Sequence, residues 1–313
     1  MVFIIDVTFL DRRAKRRYPL LAANIIIIWL SGRIQWKHAF ENFAAPEKNE
    51  DVVMSDLVLI EDKNRVRLLT LNRPEAMNAF NDEMYDATSV ALHEAAMDPE
   101  LAVVVITGQG KAFSAGQDLA EMGEPPVHDD GLRHGFQPFI EVVEAFPKPL
   151  IAAVNGLGIG IGLTLLPHCD FVLMADDARL KAPFVDLGVT TEAGSSFLLP
   201  AMIGWAATAH ILYTAPWIDA EYAVQVGLAW RAVPPDELMA ETIYLAEYIA
   251  QKPIPSLVAT KQVLLAGRLD ATRHAREREN EAFGRLVGAP ANREAIAAFK
   301  EKRPANFTDL PKN

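Results

Sequence analysis

The 313-residue chain is 50% hydrophobic and 23% charged, a globular composition long enough for one large domain or two modest ones. Its 30 lysines and arginines face 41 acids for a net charge of −11, which excludes a general nucleic-acid binder because phosphate neutralisation needs a basic surface. The single cysteine, Cys169, excludes an intrachain disulfide and a thiolate zinc cluster and is compatible with a reducing compartment, the cytoplasm or an organelle matrix.

The first fifty residues differ from the rest. Residues 1–53 carry 8 basic and 6 acidic side chains, leaving −13 for the remainder. The basic cluster Arg12–Arg17 precedes Pro19–Leu30, twelve mainly apolar residues, short of the ~20 that a helix needs to cross a bilayer. No A-x-A cleavage site follows. No membrane span is expected.

From Met54 the pattern becomes punctuated. Asp56–Ile60 and Val66–Leu71 read as strands of a hairpin joined by Glu61–Asn64. Asn81 starts a helix with Met84, Ala87, Thr88, Ala91, Leu92 and Ala95 at three-and-four spacing, closed by Asp98-Pro99. Ala102–Thr107, Leu150–Val154 and Phe171–Ala175 are apolar runs suited to strands buried on both faces. The alternation of helix and strand predicts an α/β fold. Short helix and strand alternate over Ala215–Val233, helices follow at Thr242–Gln251 and Leu257–Leu265, and helix formers dominate Ala271–Lys302.

Two glycine turns follow apolar strands, places where backbone N–H groups are left available to a ligand. The first is Gly108–Asp118 and the second Asn155–Gly162. Neither matches a dinucleotide fingerprint, since Leu163 and Ile161 stand where the third glycine is required. No G-K-[S/T] follows, which removes a P-loop. Around Ser114 a G-x-S-x-G elbow fails because Ala112 replaces its first glycine. Among the seven histidines, His128 and His134 flank Asp129 and Asp130, but the stretch reads as a solvated loop and no metal site is expected.

Taken together, Asn72–Ala79, Ala112–Asp118, Lys148–Gly156, Cys169-Asp170 and Ala298–Arg303 resemble the crotonase family, the enoyl-CoA hydratase/isomerase superfamily, in order and spacing over about residues 55–307. The resemblance implies a core of ββα spiral turns over residues 54–250 and a C-terminal helical region, 251–313, that packs in a homotrimer or hexamer. Residues 1–53 then fall outside the fold as an appended or mispredicted leader, expected to be poorly ordered and dispensable. It also implies an acyl-CoA thioester whose carbonyl sits between two backbone N–H groups, one from each turn. The matching positions are Ala115 and Ile161, with Gly116 and Gly160 letting the backbone approach. One such donor is worth ~3 kcal/mol to an enolate-like transition state.

Hydratases of the family use two glutamates to activate water, and Thr164 and Phe184 occupy those positions here. Simple hydration is therefore disfavoured. Instead Ala182–Ser196 is similar to the peroxisomal-type Δ3,Δ2-enoyl-CoA isomerases, whose base maps onto Glu192. The apolar neighbours Phe184, Val189, Phe197 and Leu198 would exclude water and raise its pKa. Read from the residues alone, the alternative for Glu192 is a carboxylate at a helix start where Thr191 or Ser195 caps, and Asp186 is a second, weaker candidate in the segment. For CoA, the resemblance points to Glu75, Ala76, Asn78, Gly116, Asp118 and Leu119, with Lys261 toward the 3′-phosphate; Ser114 and Thr164 could bond substrate. Ala120–Pro138 reads as a lid. The expected activity is the shift of a 3-enoyl-CoA to a 2-enoyl-CoA by proton abstraction at C2 and return at C4, with no cofactor beyond the CoA of the substrate. The alternatives are a hydratase with nonstandard residues, or a non-catalytic acyl-CoA-binding or RNA-associating protein.

Overall fold

A computed structural model describes residues 56–118 and 133–310. The expectations for the leader at 1–53, for Leu119, for His128 and for most of the lid lie outside the described residues.

Strands β1 (Val58–Lys63) and β2 (Val66–Leu71) form the expected hairpin. Lys63 pairs with Val66, so the loop is only Asn64-Arg65, both at positive φ (51° and 67°). That geometry twists with the strands as a two-residue hairpin turn must. The polar residues expected in the turn, Glu61–Lys63, instead extend β1 along the sheet edge, where solvent can reach them.

Helix α1 (Asp82–Met97) starts where expected: the Asn81 side chain accepts from Met84 N at 3.0 Å. Its buried face includes Met84, Thr88, Ala91, Leu92 and Ala95, and it adds Tyr85. Next come β3 (Val103–Gly108), β4 (Ala112–Ser114), α2 (Phe136–Glu144), β5 (Leu150–Val154), β6 (Leu157–Ile159) and the single turn α3 (Ile161–Thr164). After them lie β7 (Phe171–Ala175), β8 (Arg179–Lys181), α4 (Ser195–Ile203), α5 (Trp205–Thr214), β9 (Ile218–Asp219), α6 (Ala220–Val226) and β10 (Arg231–Val233). The chain continues through α7 (Leu238–Ala250), α8 (Ile254–Ala266), α9 (Leu269–Leu286) and α10 (Pro290–Glu301).

Two sheets result, one of six strands in the order β1-β2-β3-β5-β7-β10 and one of four in the order β4-β6-β8-β9. The long apolar strands β3, β5 and β7 run parallel in the first sheet. Each is followed by a three-residue strand, β4, β6 or β8, that runs parallel with its counterparts in the second. Each long strand followed by its short one is the β-β repeat of the spiral. The short strands went unread in the sequence because three residues carry no periodicity; both glycine turns contain one, at Ala112–Ser114 and Leu157–Ile159. Among the described residues no helix is long and apolar enough to cross a membrane.

Candidate active site

The second sheet brings the two glycine turns together. Gly116 has φ +98°, and a Cβ on it would lie 2.9 Å from the Ile159 carbonyl oxygen. Gly160 has φ +56°, and its Cβ would sit 3.8 Å from Gly116 Cα. Glycine is needed here both for the left-handed conformation and for the approach of the two backbones.

Which amides flank this contact is decided by hydrogen bonding. Ala115 N–H donates to the Met77 carbonyl at 2.9 Å, so the expected donor at Ala115 is corrected: its proton is already engaged. Gly116 N–H donates to Ser114 Oγ at 3.1 Å, and Ser114 is wholly buried. Two residues on, Phe80 bridges Gln117 in parallel fashion. Phe80 N–H donates to Gly116 O and Asp118 N–H donates to Phe80 O, both at 2.7 Å. In such a bridge the middle residue's own N–H points away from its partner strand. Among the described residues the Gln117 N–H has no acceptor. Ile161 begins α3, and its N–H is one of the donors that a helix start leaves over; it too has no acceptor among the described residues. The available pair is therefore Gln117 and Ile161. A sequence motif cannot show which amide of a turn a neighbouring carbonyl consumes.

Thr164 closes the turn of helix that Ile161 opens; its hydroxyl donates to the Gly160 carbonyl at 3.3 Å and lies near enough to the Glu192 carboxyl to favour its charged form. Glu192 retains partial access to the surface, yet its pKa is pushed up to about 7. Burial is the main cause; the charge of Glu279 adds to it and the Thr164 hydroxyl opposes it. Tyr85 lies within electrostatic reach. Its buried phenol stacks on Phe80 at 4.6 Å between centroids, beside Phe139 at 5.2 Å. Burial first, then the charges of Glu192 and Asp82, push its pKa well above the ordinary value. In the sequence Tyr85 is simply an aromatic within a helix.

The segment carrying Glu192 is tightly held. Ser195 N–H and Oγ–H both donate to the Glu192 carbonyl, at 3.0 and 2.5 Å, and Thr191 Oγ1 is 2.5 Å from Ser195 Oγ. Ala193 adopts φ +61° and its carbonyl is 2.8 Å from His168 Nε2. Burial lowers the His168 pKa to about 3, so the ring is neutral and donates Nε2–H. Helix α4 starts three residues after Glu192 with Gly194 as its cap, so Glu192 is not the helix-capping acid and neither Thr191 nor Ser195 caps α4. That role falls to Glu279 on α9, whose two carboxylate oxygens each accept at 2.7 Å, from Gly194 N–H and Ser196 N–H.

The remaining expected residues separate into groups. Phe184 and Val189 are buried and, with Thr191, Pro200, Trp205 and Leu212, line a groove of about 230 Å³. Glu192 does not line it. Glu75 and Ala76 stand on the short turn Pro74–Ala76, with Glu75 exposed. The Asn78 side chain is wholly buried and structural: it accepts from Arg73 N and donates to Gln109 O and Ala112 O. Asp118 pairs with Arg73 at 3.0 Å. Asp186 pairs with Lys181 at 3.0 Å near the surface.

Lys261 requires a correction. It is 5% exposed and its Nζ lies 2.5 Å from Asp170 Oδ2, which also accepts from Leu150 N–H. A buried ammonium already neutralised by its own carboxylate offers no cation to a phosphate, so the expected 3′-phosphate role is not carried by this geometry. His134 pairs with Asp86, and among the described residues no cluster of three His, Cys, Asp or Glu could hold a metal.

The profile of the family described as "Enoyl-CoA hydratase/isomerase" matches residues 61–311. A crotonyl-CoA hydratase of Syntrophomonas wolfei is 34% identical over 252 residues, 80% of this chain and 97% of that protein. A 1,2-epoxyphenylacetyl-CoA isomerase of Escherichia coli is 33% identical over 262 residues, 82% of this chain and 99% of that protein. Among solved structures, an enoyl-CoA hydratase/isomerase from Pseudoalteromonas atlantica superposes with a TM-score of 0.76 at 33% identity, covering 80% of this chain and all of that one.

Proposed function

Because the chain belongs to the enoyl-CoA hydratase/isomerase family and has a crotonase fold, we propose that it moves the double bond of a 3-enoyl-CoA to the 2 position, with Glu192 as the base. The observation that carries this reading is one carboxyl, poised at a pKa of about 7, within electrostatic reach of Thr164 on the helix whose first amide is unengaged. A base is most effective when its pKa lies near the working pH. Glu192 takes a proton from C2, the thioester oxygen gains negative charge between the N–H groups of Gln117 and Ile161, and the same proton is delivered to C4. The atoms balance without a second reactant.

Two features support isomerisation over hydration. The positions that hold the two water-activating glutamates in hydratases are Thr164 and Phe184 here, a hydroxyl and a hydrocarbon ring. At that place Glu192 has the neutral Thr164 hydroxyl within electrostatic reach rather than a second ionised acid. Against this, relatives of this chain carry hydratase names, among them a crotonyl-CoA hydratase. The test is to incubate the protein with a 3-enoyl-CoA and follow the conjugated thioester absorbance for wild type and Glu192→Gln. We expect a loss of at least about a hundredfold in the variant, the lower range for general-base removal. Equal rates would remove Glu192 as base. Loss of conjugated absorbance on adding crotonyl-CoA would establish the hydratase instead.

The CoA moiety is assigned to the surface near Glu75 and Ala76, with the nucleotide met by backbone rather than by Lys261. A homotrimeric or hexameric assembly is proposed on the apolar side chains that one chain leaves exposed, including Trp205, Tyr213, Val263, Leu264 and Phe299. Light scattering gives the subunit count directly.

A further inference from the structure

The base does not stand on its own element. Residues 191–196 form a turn in which two consecutive residues, Ala193 and Gly194, adopt positive φ (61° and 71°), a conformation that alanine takes only at a cost. Such a turn persists when its surroundings over-determine it. Here His168 holds the Ala193 carbonyl from one side, and Glu279 takes Gly194 N–H and Ser196 N–H, one with each oxygen, from the other. A Cβ at Gly194 would come within 2.6 Å of Thr272 Cγ2 on α9, so the turn and the C-terminal helix are fitted closely together. Glu279 is itself 4% exposed. Its helix neighbour Arg276, one turn earlier, is directed to Glu144, Glu141 and Gln137.

We propose that Glu279, from the C-terminal helix α9, is the positioning residue of the catalytic base: it clamps the 192–196 turn that carries the Glu192 carboxyl, and it keeps a negative charge beside that carboxyl. The proposal rests on Glu192 being the base. The groups that face Glu192 are Glu279 from α9, the Thr164 hydroxyl from α3 and the Tyr85 phenol from α1. His168, beneath the turn, is neutral. Among the described residues Glu279 is thus the only other carboxylic acid in that set, and its charge makes Glu192 a stronger base than burial alone would. It follows that α9 belongs to the active site as well as to the C-terminal helical region.

The test separates charge from clamp. Glu279→Gln removes the charge and can accept only one of the two N–H bonds; Glu279→Asp keeps the charge and shortens the reach. Isomerisation is measured against pH for wild type and both variants, beside Glu192→Gln. In the same proteins the Glu192 titration is followed by NMR with carboxyl-13C glutamate, the signal being assigned by its loss in Glu192→Gln. For Glu279→Gln we expect the Glu192 titration and the acid limb of kcat/KM to move to lower pH by about one unit. A fall in kcat of about tenfold or more should accompany this shift. For Glu279→Asp we expect the fall in kcat with the titration closer to wild type. A Glu192 titration unmoved in Glu279→Gln would overturn the proposal, even if stability dropped, because a purely structural clamp has no reason to shift it. The NMR arm reads the coupling whether or not Glu192→Gln is inactive. An active Glu192→Gln would therefore refute the assignment of the base, and with it the positioning role, while the titration still reports the electrostatic contact.

Discussion

Replacing Glu192 by glutamine keeps the size of the side chain and a polar group near Thr164, but removes a group whose pKa rises from 4.5 to about 7 on folding. Below pH 4.5 the carboxyl is protonated in both the folded and the unfolded chain and adds no pH dependence. Between 4.5 and about 7 the unfolded chain releases its proton first, so wild-type stability falls as the pH rises; above about 7 the full loss persists. The interval corresponds to about 3 kcal/mol, an upper value because the side chain keeps some access to water. That is a large part of the ~5–15 kcal/mol that holds an ordinary domain together. Urea denaturation of the two proteins across this pH range checks it. The variant should gain on wild type by roughly 2–3 kcal/mol between the acid end and pH 8, while losing its isomerase activity. A stability difference that stays flat with pH would refute the raised pKa and with it the argument that this carboxyl is poised as a base.

Three further outcomes are expected. Gly116→Ala places a methyl 2.9 Å from the Ile159 carbonyl at a residue with φ +98°, so it should pry the two turns apart; kcat should fall by about a hundredfold or more, as on losing an oxyanion donor, read in the 3-enoyl-CoA assay. Lys261→Met removes the ammonium from Asp170, which keeps access to solvent and its bond from Leu150 N–H, and should cost about 1–2 kcal/mol in chemical denaturation. Its effect on KM for acyl-CoA should be small, and a large rise in KM with unchanged stability would restore the phosphate role. Asn78→Ala abandons three buried hydrogen bonds to backbone. It should lower stability by roughly 2–4 kcal/mol, measured by the urea midpoint.

Much of the framework was legible in the sequence. The three apolar runs β3, β5 and β7 announced themselves because strands buried on both faces need continuous hydrocarbon. Asn81 and the spacing after it gave α1 almost to the residue. The strands of the second sheet did not appear, since Ala112–Ser114 and Leu157–Ile159 are too short for any period and are held by neighbours from distant turns. The site divided in the same way. Glu192 came into view through the resemblance of 182–196 to isomerases of the family. Ala115 and Gln117 both sit beside Gly116, and only Met77 and Phe80, brought up from the preceding segment, determine which amide is left unengaged.

By itself, then, the sequence determined what short-range chemistry can determine: the strands and helices with their own periodicity and the glycines required at two turns; its resemblance to a family singled out positions 164, 184 and 192. The tertiary structure decided everything that depends on a partner far along the chain. It engaged the Ala115 amide, buried Lys261 against Asp170 across 91 residues, and set Glu279 on the turn of Glu192 across more than 80. The reason is that a hydrogen bond or a desolvated charge is a property of two groups in space, and the sequence names each group without saying which of them will meet.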